Sequence, residues 1–115
     1  MNKSGQQSTD EIIRIARDFS PYPAGRYRKD GPFSGQAFRE DTVLPRLKKT
    51  DRITIDIDGV AGLPSSFWEE VFGGLVRREG LTPEFVRQHV RVYTSEKSLE
   101  PFVRLAYKFA EEAAH

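Results

Sequence analysis

RITIDIDGVAGLPSSFWEEVFGGLVRR, Arg52 to Arg78, reads as a buried strand, a turn and a helix, and the rest of the chain is arranged around it. Ile53, Ile55 and Ile57 alternate with Thr54, Asp56 and Asp58, the period of a sheet with one apolar and one polar face. Trp68, Val71, Phe72, Leu75 and Val76 recur at helical spacing, so the helix carries one apolar stripe that must pack on the isoleucine face. Ser66 followed by Glu69 has the form of a capping box and predicts a helix that opens at Ser66. The same helix is predicted to stop near Glu79, with Gly80 as a left-handed cap.

Upstream, MNKSGQQST is polar and without periodicity, so residues 1–9 read as a disordered tail and residues 10–115 as one domain. From Asp10 the segment EIIRIARDF alternates β-branched residues and predicts a strand with Ile13 and Ile15 inward and Arg14 exposed. Residues 20–33 hold three prolines and two glycines, which excludes a long helix and suggests turns flanking a short strand near Gly25 to Arg28, most simply a hairpin. Ser34 caps a helix through Ala37, Phe38, Leu44 and Leu47, expected to kink or break at Pro45. Downstream, Thr82, Pro83 and Glu84 open a short helix, Val90 to Thr94 forms a last strand, and Ser95 or Ser98 opens a final amphipathic helix. The strands carry a polar second face of Arg14, Thr54, Asp56, Arg91 and Tyr93, whereas a doubly wound sheet is apolar on both sides. The fold expected is therefore a single α/β domain, with a small, mostly parallel or mixed sheet covered by helices on one face.

Composition bounds the function. With 18 basic and 17 acidic residues the net charge is +1, which lacks the strongly basic footprint of a nucleic-acid binder. The clusters Arg26 to Lys29 and Lys48 to Arg52 are too sparse to replace it and read as solvated surface. There is no cysteine to staple a secreted domain and no apolar segment of signal or membrane-spanning type, so a cytoplasmic location without membrane contact is the expectation.

Laid end to end, DGPFSGQAFREDTVLPRL from Asp30 to Leu47 and IDIDGVAGLPSSFWEEVFGGLVR from Ile55 resemble STAS domains, closest to the bacterial STAS-like family of unassigned function. The resemblance covers roughly Asp30 to Arg78. It implies a strand, an aspartate- and serine-rich turn, and a helix whose first residues form a regulatory surface. Bacterial STAS domains commonly antagonise anti-sigma factors, bind a histidine-kinase-like ATPase and are switched by serine phosphorylation at this helix start. Ser65 or Ser66 matches that acceptor, although Pro64 stands where an aspartate is usual and Phe67 where a glycine is usual.

The residues themselves point to the same surface. A helix start offers unpaired N–H groups and the positive end of the dipole, so Ser65 and Ser66 are candidates for phosphorylation or anion binding, set against plain capping by Ser66. Mid-helix glycines cost about 1 kcal/mol each relative to alanine. Gly74 is therefore expected to let the helix approach its sheet, and Gly73, beside Glu69, Glu70 and Arg77, to admit a partner's backbone or plain packing. Phe67, at the stripe's edge, together with Glu70 and Gly73, completes a candidate protein-binding surface. The expected function is non-enzymatic binding of a regulatory ATPase or kinase, with no cofactor. One rival is a phosphate- or nucleotide-binding module at the same helix start. The other is a small metal-dependent phosphatase using Asp56 and Asp58, whose IDIDG resembles the haloacid dehalogenase signature without that family's further strands. His89 and His115 offer no metal spacing, and no G-x-S-x-G elbow is present.

Overall fold

Three parallel strands form the sheet of the computed structural model, which describes residues 10–115; the tail expected over residues 1–9 lies outside the described residues. The strands are β1 (Asp10–Arg14), β2 (Arg52–Asp56) and β3 (Val90–Tyr93), in the order β1-β2-β3 with β2 central. Register places Asp10 beside Arg52 and Arg14 beside Asp56, then Ile53 beside Val90 and Asp56 beside Tyr93. Alternation does what the sequence predicts: Ile13, Ile53, Ile55 and Val90 are fully buried, while Ile12 and Tyr93 stand 48% and 39% exposed on the opposite face.

Between β1 and β2 runs a helical stretch with α1 (Gly35–Ala37), a π segment (Phe38–Val43) and α2 (Leu44–Leu47). Its start is as expected, with the Ser34 hydroxyl accepting from the Ala37 N–H at 3.1 Å. Pro45 does not break it. The π segment lets the Leu44 N–H reach the Arg39 carbonyl five residues back, and Pro45 falls in the first turn of α2, where its missing N–H is least costly. Between β2 and β3 lie α3 (Ser65–Arg77) and the short α4 (Pro83–His89), capped by Thr82 as expected. The final helix is α5 (Glu100–Ala113); neither Ser95 nor Ser98 caps it, because a 3-10 turn over Lys97–Leu99 leads directly into it.

Two expectations upstream fail. β1 ends at Arg14, and Ile15–Phe19 closes a π turn in which Asp18 accepts from the Arg14 N–H at 2.8 Å. No strand forms over Gly25 to Arg28. Instead the Asp30 carboxylate takes the Arg26 and Tyr27 N–H groups at 3.2 and 2.9 Å, winding a local turn, and the chain docks on the start of α1 through the Gly25 carbonyl.

The core joins the isoleucine face to Phe38, Val43, Phe67, Trp68, Val71, Phe72, Leu75, Ala106 and Ala110, so the helices cover one face of the sheet. Trp68 ties α3 to α5 by donating to the Phe102 carbonyl at 2.8 Å. At the outer edge of β3 the Tyr107 hydroxyl donates to the Val90 carbonyl at 2.7 Å and accepts from the Val92 N–H at 3.1 Å. One side chain from α5 thus satisfies backbone groups that an edge strand otherwise leaves open. No helix among the described residues is long and apolar enough to cross a membrane.

Candidate functional site

Helix α3 begins two residues earlier than a capping box at Ser66 would have it, with Pro64 as N-cap and Ser65 as the first helical residue. Pro64 holds an extended backbone and its carbonyl accepts the Trp68 N–H at 3.0 Å. Among the described residues no side chain caps this end and no acidic residue occupies the first turn, so the positive pole of a 13-residue helix has no capping partner there. The expected capping box is absent because Glu69 is drawn away by arginines. Ser65 is exposed and Ser66 half-buried, and neither hydroxyl has capping work to do.

The other candidates lie beneath that surface. Phe67 is fully buried, its ring 6.0 Å from Phe38, 6.2 Å from Phe19 and 6.3 Å from Trp68. It is a core residue, because the 35–47 run packs on α3 beside the sheet and covers the flank of the helix that carries Phe67. Gly35 marks how closely the two meet: a Cβ there would stand 2.5 Å from the Phe67 carbonyl oxygen. Glu70 is 1% exposed and likewise presents no surface.

Glu70 is the hub of an ion network invisible in the sequence. Its Oε2 accepts from Arg39 Nη1 at 2.8 Å, and the same guanidinium nitrogen bonds the Glu70 carbonyl at 2.7 Å. Its Oε1 accepts from Arg26 at 3.2 Å and from Arg77 at 3.3 Å. Glu69 pairs with Arg77 at 3.0 Å and with Arg26, while Arg39 Nε reaches Glu79 at 3.1 Å. Burial by itself would raise the Glu69 carboxyl, but hydrogen bonds from Arg77 and Arg26 outweigh it and hold the group below its ordinary range. This network explains both glycines. A Cβ on Gly74 would sit 2.1 Å from Arg39 Nη1, so the missing side chain makes room for the buried guanidinium and not for the sheet. A Cβ on Gly73 would meet Glu69 Oε2 at 2.2 Å, so Gly73 lies under the Glu69–Arg77 pair.

Asp56 and Asp58 do not converge. Asp56 faces the open side of the sheet and accepts the Asp58 N–H at 2.9 Å. Asp58 lies beyond the strand and ties its turn to the loop after β3. Its carboxylate accepts from the Ser95 hydroxyl at 2.6 Å, the Thr94 hydroxyl at 2.5 Å and the Ser95 N–H at 2.9 Å, and these bonds hold it below the usual carboxylate range. Among the described residues no group of three or more histidine, aspartate or glutamate side chains stands close enough to hold a metal ion. His89 stacks on Phe85, with Nδ1 2.5 Å from the Asp51 carbonyl oxygen.

On the face of the sheet that no described helix covers lies a shallow groove of about 360 Å3 lined by Asp10, Ile12, Arg14, Thr54, Asp56, Arg91 and Tyr93. Period-two alternation finds Arg14, Thr54, Asp56, Arg91 and Tyr93 in the sequence, and the register adds Asp10 and Ile12. The buried arginine of the network is harder to see, since Arg39 and Glu70 are 31 positions apart.

A family model described as a STAS-like domain of unknown function matches residues 34–99. No curated protein and no solved structure matches the chain.

Proposed function

Because the chain belongs to the family of STAS-like domains of unknown function, which its residues 34–99 match, we propose that it is a non-enzymatic regulatory module. It binds another protein, most fittingly a histidine-kinase-like ATPase in the cytoplasm, through the start of α3. The observation that carries this reading is the uncapped first turn, with Ser65 exposed and Ser66 half-buried and both hydroxyls released from structural duty. A phosphoryl group on either serine would place roughly −1.5 to −2 charge units at the helix's positive pole, where it stabilises the helix while changing the surface a partner meets. Phe67 and Glu70 contribute by holding that surface rigid from below, and Gly73 by seating the Glu69–Arg77 pair.

The test is titration of the protein against histidine-kinase-like ATPases of its own genome. Ser65→Glu and Ser66→Glu should weaken binding at least tenfold while leaving the melting temperature unchanged or higher, and Ser65→Ala should bind as the parent does. Unchanged binding by both glutamate variants overturns the reading. The same uncapped turn favours a second reading, a phosphate- or nucleotide-binding module. Thermal stabilisation by nucleotides, abolished by either glutamate, would select it instead.

A further inference from the structure

The face of the sheet left open by the described residues carries a charge pattern that matches itself. Inter-strand register sorts its side chains into three rows: Asp10 and Arg52, then Ile12, Thr54 and Arg91, then Arg14, Asp56 and Tyr93. Along β1 the sign runs from Asp10 to Arg14, and along β2 it runs the opposite way, from Arg52 to Asp56. Asp10 and Arg52 already confirm their shared side by pairing laterally at 3.6 Å while each stays more than half exposed. Between the charged rows stand Ile12, 48% exposed, and Thr54.

From this pattern we infer that the face is the contact between two copies of the chain, related by a two-fold axis that crosses the strands through the middle row. That operation lays each strand antiparallel over its own counterpart. Asp10 of either copy then faces Arg14 of the other, and Arg52 faces Asp56, so the axis generates four opposite-charge contacts around Ile12 on Ile12 and Thr54 on Thr54. The alternative axis, running along the strands, puts Arg52 on Arg52 and Asp56 on Asp56, two like-charge contacts against the one, Arg91 on Arg91, of the first arrangement, which is therefore favoured. Arg91 shares the middle row but is drawn aside, its guanidinium 5.7 Å from the centre of the Tyr93 ring in the next row. Three strands of this length span about 15 by 17 Å, less than the ~800 Å2 a side of a long-lived complex. The dimer is accordingly weak, concentration-dependent and salt-sensitive. It uses a surface separate from the start of α3, so it stands or falls independently of the proposed ATPase contact.

Sedimentation of the full chain over rising concentration reads the association, and its dimer fraction should fall several-fold between about 50 mM and about 500 mM salt. Arg14→Asp faces Asp10 with a like charge and should abolish dimerisation in a folded protein. The swap Asp10→Arg with Arg14→Asp restores complementarity within β1 and should bring the dimer back. Because the chain has no cysteine, Ile12→Cys supplies a geometric readout: a short bis-maleimide, long enough to span two sheets packed about 10 Å apart, should give a cross-linked dimer, whereas Phe85→Cys, also exposed but away from this face, should not cross-link. The inference is overturned if the chain stays monomeric at every concentration, which would leave the face to a different protein. It is equally overturned if Arg14→Asp is without effect, if the folded swap variant stays monomeric, or if the two cysteine variants cross-link alike.

Discussion

Two serines that look alike in the sequence have opposite structural weight. Ser34 is fully buried and its hydroxyl caps α1, so Ser34→Ala should cost about 1 kcal/mol in urea unfolding. Ser66 caps nothing, so Ser66→Ala should change stability by no more than about 0.5 kcal/mol, and a loss as large as that of Ser34→Ala would contradict the uncapped start of α3. The misreading has a physical origin: a capping box needs Glu69 to turn back on its own helix, yet Arg26, 43 positions away, and Arg77 compete for the same carboxylate. Arg39 is the residue with most at stake. Truncation by Arg39→Ala removes the closest cation from a buried carboxylate and should cost about 3–5 kcal/mol, whereas Arg39→Met combined with Glu70→Leu should recover part of that loss. A double variant as unstable as the sum of its parts would show that packing around Gly74, and not charge, holds the pair.

Elements were legible where one periodicity decided them and illegible where two layers met. The isoleucines of β2 and the glycine after α3 read correctly, since alternation and a positive φ of 77° at Gly80 are local properties. Phe67 reads as marginal on a helical wheel because the wheel contains α3 alone, and the 35–47 run that covers it is brought there by the fold. Pro45 reads as a breaker because the π segment ahead of it has no marked sequence signal. Tyr107 joins α5 to the edge of β3 in a way no pattern predicts. Tyr107→Phe keeps the ring in the core while leaving the Val90 carbonyl and the Val92 N–H without this partner. It should cost about 1–3 kcal/mol and raise the tendency to aggregate, measured by denaturant titration and light scattering. A phenylalanine variant as stable and soluble as the parent would mean that water caps the edge equally well.

At the scale of the molecule, several lowered carboxyl groups contribute to the response to acid. Asp58, through the Ser95 and Thr94 bonds, Asp41 and Glu40, through Arg28, and Glu69, through Arg77 and Arg26 against its burial, are all held below their ordinary range. A carboxyl lowered by folding binds fewer protons in the native state, so the stability it contributes is complete above about pH 5 and is lost as pH falls through the native value. Unfolding free energy should therefore be level from neutrality to about pH 5 and decline below about pH 4, and a chain equally stable at pH 3 and pH 7 would show these bonds to be energetically idle. The arrangement of the sheet also bears on how the chain is made. Among the described residues every strand pairing is parallel, joining Asp10 to Arg52 and Ile53 to Val90, and no hairpin gives an early local contact. Such non-local closure is slow. During synthesis β2 can pair with β1 and take the cover of the 35–47 run and α3 first, whereas its pairing with β3 waits for residue 93 to emerge and Tyr107 reaches the edge of β3 later still, so the β3 edge is the last part of the sheet to be closed.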